Sequence, residues 1–113
     1  GFGPRRGGAS DMHRGLDIFT QSPKPVHAGG DGIVQEIRKR TGFGRSILIR
    51  HNERVQTRYA HLSAYAAGLK VGDRIWRGEI IGRTGESGNA TAVHLHYEII
   101  VDGAARDPLS VGS

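Results

Sequence analysis

The stretch Ala92-Val93-His94-Leu95-His96-Tyr97-Glu98-Ile99-Ile100 holds the residue types best suited to chemistry. As a strand it alternates with period two, so His94, His96 and Glu98 share one face while Leu95, Tyr97 and Ile99 take the other. Two imidazoles side by side on a rigid strand suit a metal site, because one ring can bind Zn(II) while the other handles a proton beside it. A bare H-x-H is also what a half-buried strand with a solvated polar face looks like, so further ligands must come from elsewhere. His13 and Asp17 stand four apart. Gly15 between them and the β-leaning residues Leu16, Ile18 and Phe19 argue against a helix and for a turn feeding a short strand. A glycine there permits an irregular backbone on which both side chains converge. His61 lies in Tyr59-Ala60-His61-Leu62, where strand parity puts it on the face of Tyr59. A catalytic zinc takes three N and O ligands and keeps one position for water. His13, Asp17 and one member of the His94/His96 pair meet that count and leave two imidazoles for acid–base and electrostatic work.

These side chains need a sheet to hold them. Alternation predicts strands over residues 32–38, 45–51 and 55–62, with turns at Thr41-Gly42-Phe43-Gly44 and Asn52-Glu53. Shorter β pieces are expected over 74–76 and 79–83 around Gly78, and one short helical turn within 64–72. A glycine-punctuated loop over 82–91 delivers the H-x-H strand; it lacks the Lys-Ser or Lys-Thr ending of a phosphate-binding loop, and no helix pattern follows. Turns at Asp102-Gly103 and Asp107-Pro108 punctuate the tail. His27 reads as exposed or structural, and His51 as a strand-end residue.

At 113 residues the chain has room for one modest core. Its 18 glycines and β-branched runs indicate a mostly β protein rich in turns, and the absence of cysteine excludes disulfides, thiolate metal sites and a cysteine nucleophile. Lys plus Arg is 16 against 11 acids, a formal charge of +5 that favours an anionic partner. The arginines are dispersed and no aromatics interleave them, so nucleic acid is not the expected partner. No apolar run approaches the ~20 residues that span a bilayer. The chain begins at Gly1 without a signal segment, as a processed product or excised domain would, and a targeting or regulatory N-terminal segment is expected to precede it.

Three motifs in this order resemble the LytM/lysostaphin-type zinc metallopeptidases, the peptidoglycan endopeptidases called M23. They are His13-Arg14-Gly15-Leu16-Asp17, Tyr59-Ala60-His61-Leu62 and His94-Leu95-His96-Tyr97-Glu98. Framing segments agree, among them Asp31-Gly32-Ile33-Val34, Val71-Gly72-Asp73, Gly78-Glu79-Ile80-Ile81-Gly82 and Ser87-Gly88-Asn89-Ala90. The resemblance implies a small antiparallel β-sheet groove, with an arm over 1–12, the peptidase domain over 13–109 and a tail over 110–113. It implies Zn2+ held by His13, Asp17 and His96, with His94 as general base. His61 would stabilise the tetrahedral intermediate or hydrogen-bond the water. It also implies cleavage of bacterial peptidoglycan crosslinks in the periplasm, in the cell envelope or after secretion.

The N-terminal arm contains no tyrosine. An oxyanion-assisting tyrosine of the lysostaphin kind would therefore be absent or come from elsewhere, which favours D-Ala to diaminopimelate crosslinks over glycine bridges. Ala92-Val93 stands where many relatives have Gly-Pro. The competing reading is a non-catalytic or autoinhibited peptidoglycan-binding module that activates a partner hydrolase. A cupin-like oxygenase is the other fold with H-x-H on a strand, but its remaining ligands follow the pair, and no histidine follows Glu98.

Overall fold

Alternation is carried through to burial in the last long strand, where every second residue from His94 onward is buried. The computed structural model describes residues 15–88, 90 and 92–106. The arm over 1–12, His13, Asp107-Pro108 and the tail over 110–113 lie outside the described residues. In chain order the strands are β1 Leu16–Phe19, β2 Pro25–His27, β3 Gly32–Arg40, β4 Gly44–Arg50, β5 Val55–Tyr65, β6 Arg74–Ile75, β7 Ile80–Thr84, β8 His94–Val101 and β9 Ala104–Arg106. They form one sheet of order β1-β8-β5-β4-β3-β6, in which β7 joins β2 to β5, β9 extends β8, and every pairing is antiparallel. The β-sheet architecture expected from the sequence is therefore the one found.

One face of the central strands carries the core. Val34, Ile47, Ile49, Tyr59, Leu62 and Ile81 are buried there, and Leu95 and Tyr97 of β8 pack against them. The opposite face of β8 is left to the polar residues. Within the core, Tyr59 ends a directional chain of hydrogen bonds. His51 donates from Nδ1 to the Asp31 carbonyl at 2.7 Å, so its Nε2 accepts from Thr57 Oγ1 at 2.7 Å. Thr57 then accepts from the Tyr59 hydroxyl at 2.8 Å, and Tyr59 accepts from the Gly29 amide at 2.8 Å. His51 is thus a structural residue, as its position at a strand end suggested.

Two expectations are corrected. The helical turn within 64–72 is absent, and no helix occurs among the described residues. β5 instead runs on to Tyr65, because β7 offers its backbone from Gly82 to Thr84 for pairing, and the chain then turns through the Leu69 amide to Ala66 carbonyl bond. Beyond the Asp102-Gly103 turn, whose residues have φ of 52° and 83°, the chain returns as β9, a strand the sequence reading did not include. Removing the Tyr59 hydroxyl strands the Gly29 amide and breaks the chain to His51. Tyr59→Phe is expected to lower unfolding free energy by about 1–3 kcal/mol in urea titration, with the sheet's circular dichroism unchanged.

Candidate active site

β8 lies between β1 and β5, and register decides which of their side chains join its polar face. Asp17 pairs with His96 and Phe19 with His94 on one side; Ala60 pairs with His96 on the other. Residues directly opposite project to the same face. Asp17 therefore meets the histidines, and the small Ala60 leaves room above His96. Asp17 Oδ1 lies 2.7 Å from His96 Nδ1 and 3.7 Å from His94 Nε2. His94 and His96 are each 7% exposed, so this is a buried polar face rather than a solvated one.

His61 reaches the same face by departing from strand alternation. Ile47 pairs with Tyr59 but Arg45 pairs with Leu62, so β5 carries one extra residue across from Ser46. The bulge is absorbed at His61, whose φ of 63° is left-handed, and its amide donates to the Phe43 carbonyl at 2.8 Å. Parity predicted His61 on the face of Tyr59. The bulge returns Leu62 to the core beside Tyr59 and turns the His61 ring to His94 and His96, at centroid distances of 4.8 Å and 6.0 Å.

Hydrogen bonds determine which nitrogen of each ring carries a proton, because a carbonyl oxygen only accepts. His94 donates Nδ1–H to the Ala92 carbonyl at 2.8 Å, and His61 donates Nδ1–H to the Ser87 carbonyl at 2.7 Å. In their neutral forms both rings keep an Nε2 lone pair. Burial foremost, aided by the neighbouring imidazoles, lowers the His61 pKa against the raising effect of the Ser87 bond. That ring is a neutral acceptor at pH 7. His96 behaves oppositely. Burial disfavours its charge, but hydrogen bonds to Asp17 and to Glu98, with both carboxylate charges, raise it to about 9. Its Nε2 donates to Glu98 Oε2 at 3.0 Å. Burial works against the Glu98 carboxylate, yet His96 and Arg58 hold its pKa below the usual carboxylate value.

The donor set fits a divalent cation. His96 Nδ1 and Asp17 Oδ1 at 2.7 Å need a proton or a cation between them, and His94 Nε2 faces the same oxygen. N and O donors of this kind are zinc ligands. The described residues contain no complete group of three metal-holding side chains, and His13 is outside them. Asp17, His61, His94 and His96 are the predicted site residues that come together. Gly15, expected to loosen the backbone, has a tighter reason to be glycine: a Cβ there would lie 2.6 Å from the Tyr97 carbonyl oxygen and 2.7 Å from His96 Cε1.

Sequence reasoning passed over four contributors. Glu98 was placed on the right face but given no partner. Arg58, which binds Glu98, becomes its neighbour only through the β5–β8 register. Phe19 stacks on His94 at 4.9 Å and Phe43 on His96 at 5.9 Å.

The model of peptidase family M23 matches residues 11–108, and the chain belongs to that family. It is 37% identical over 100 residues to the DD-carboxypeptidase/endopeptidase Mpg of Neisseria meningitidis, covering 88% of this chain and 23% of that protein. It is 36% identical over 114 residues to the peptidoglycan DD-endopeptidase ShyC of Vibrio cholerae, covering 97% and 26%. The chain thus spans about a quarter of the length of these curated relatives. The solved catalytic domain of the antimicrobial peptidase lysostaphin from Staphylococcus simulans superposes with a TM-score of 0.83 at 36% identity, over 96% of this chain and 86% of that one.

The left-handed backbone at position 61 can be separated from the imidazole it carries. His61→Val and His61→Gly both remove the ring, but a β-branched residue resists positive φ and glycine does not. In paired denaturant titrations His61→Val is expected to be less stable than His61→Gly by about 1–2 kcal/mol. Equal stabilities would show that the bulge relaxes without strain.

Proposed function

We propose that the chain is a zinc-dependent endopeptidase that hydrolyses peptide crosslinks of bacterial peptidoglycan. The observation that carries this reading is the convergence of Asp17 and His96 on one another with His94 and His61 beside them, in a chain of the M23 family. His13, Asp17 and His96 are assigned as ligands, His94 as general base and His61 as the residue that holds the water. A bound zinc supplies a Lewis acid and brings the pKa of a coordinated water toward ~7.

The chain's own groups then divide the proton work. The Ala92 carbonyl holds His94 Nδ1–H, which leaves Nε2 to take a proton from water as the water oxygen attacks the peptide carbon. The same imidazolium returns that proton to the leaving amine when the C–N bond breaks. His61, with Nδ1–H committed to Ser87, presents an acceptor and so favours holding a water O–H over donating to an oxyanion. The DD-endopeptidase name of the ShyC relative supports D-Ala to diaminopimelate bonds as substrate. The net charge of +5 suits an anionic wall, and a peptidoglycan substrate would be met in the periplasm, the cell envelope or outside the cell.

The test is release of soluble muropeptides from purified sacculi with zinc, with chelator and with His94→Ala. Zinc-dependent release is expected, with chelator abolishing it and the substitution reducing it at least a hundredfold. Sacculus binding without release under every condition would replace the peptidase by a module that activates a partner hydrolase.

A further inference from the structure

The carboxylate of Glu98 is engaged on both oxygens. Oε2 lies 3.0 Å from His96 Nε2, and Oε1 lies 3.1 Å from Arg58 Nε. Glu98 is 9% exposed, and the Arg58 side chain 17%. Phe43 is wedged between the same partners: the Arg58 guanidinium carbon lies 4.9 Å from its ring centroid, and its ring stacks on His96. Its carbonyl also accepts the His61 amide.

A buried ion pair is a poor source of stability, because desolvation offsets most of the attraction. Arg58 and Glu98 sit opposite one another on β5 and β8, and two apolar residues would fill those positions at no loss to the sheet. What an apolar pair cannot do is accept the Nε2–H of His96. With that acceptor in place, one proton stays on Nε2, and Nδ1 is the nitrogen turned to Asp17, whose proton a cation would replace. Without it, the imidazole can shift its proton to Nδ1 or rotate about its Cβ–Cγ bond, and either change removes a donor from the cation site.

Building on the zinc peptidase reading, we propose that Glu98 is a positioning residue for the metal centre. It orients His96 through the Nε2–H bond, and Arg58 with Phe43 holds the carboxylate and the ring in place. The arrangement is a relay from Arg58 through Glu98 and His96 to the metal, built from neighbouring strands. Glu98 touches neither substrate nor reacting atoms.

The test compares zinc affinity, by competition with a chromogenic chelator, in the wild-type protein, Glu98→Ala and the double variant Arg58→Met with Glu98→Leu. The apolar pair is expected to keep the fold, with a urea midpoint at or above that of the wild type, and yet to weaken zinc binding about 10–100-fold. At saturating zinc its kcat on a crosslinked muropeptide falls while KM stays within about twofold. Tyr59→Phe, which loses stability away from the site, should keep wild-type zinc affinity. A folded apolar-pair variant binding zinc within about twofold of the wild type would overturn the proposal, as would an equal loss of affinity in Tyr59→Phe. Wild-type protein that binds zinc but leaves sacculi intact would defeat the peptidase reading alone, with the affinity comparison still deciding the role of Glu98. Wild-type protein that binds no zinc would overturn both.

Discussion

A strand that sends two imidazoles and a carboxylate to one buried face must find a partner for every nitrogen and oxygen it removes from water. β8 meets this requirement with its neighbours at all but His94 Nε2, which lies 3.7 Å from Asp17 Oδ1. β1 brings Asp17 to His96, β5 brings Arg58 to Glu98, and backbone carbonyls of Ala92 and Ser87 take the Nδ1 protons of His94 and His61. Each of these bonds also decides where a lone pair points. The requirement that buried polar groups be paired is thus the same condition that orients the site, and the sheet cannot satisfy one without producing the other.

The core face makes this possible. Tyr59, Leu62, Leu95 and Tyr97 occupy one side of β5 and β8, so the sheet gains its apolar burial there and leaves the other side to polar groups. His61 is the one place where the two demands conflict. Plain alternation would have sent it into the core and pulled Leu62 out of it. The bulge keeps Leu62 in the core and delivers His61 to the site, at the expense of a left-handed backbone that the Phe43 carbonyl bond helps to hold.

This is also where legibility in the sequence ends. The period-two pattern of 94–100 is a local property, and it placed His94, His96 and Glu98 together correctly. The bulge at His61 depends on pairing between β4 and β5, which no local pattern records, so parity put that ring on the wrong face. The 64–72 segment failed for a similar reason. Its small residues tolerate a helical turn, but β7 arrives from further along the chain and captures the backbone as far as Tyr65. Asp17 was legible as a candidate because of its spacing from His13. Its bond to His96 is a matter of register across 79 residues. Arg58 and Phe43 had no signal of their own, since each matters only through what it touches.

Opposite protonation tendencies on one small face follow from the same partners. His96 stands between two carboxylates and is held as a cation, whereas for His61 burial and the neighbouring imidazoles outweigh the Ser87 bond and the weaker pull of the Asp17 charge and keep it neutral. Within the proposed mechanism, a divalent cation held by His96 and Asp17 would replace the Nδ1 proton and draw on the same two carboxylates. The two carboxylates therefore favour positive charge at that point. His61, whose Nδ1–H goes to the Ser87 carbonyl, keeps its Nε2 to accept a hydrogen bond from water. Within the proposed mechanism, it is the placement of Asp17 and Glu98 that separates the ring that holds charge from the ring that accepts a hydrogen bond.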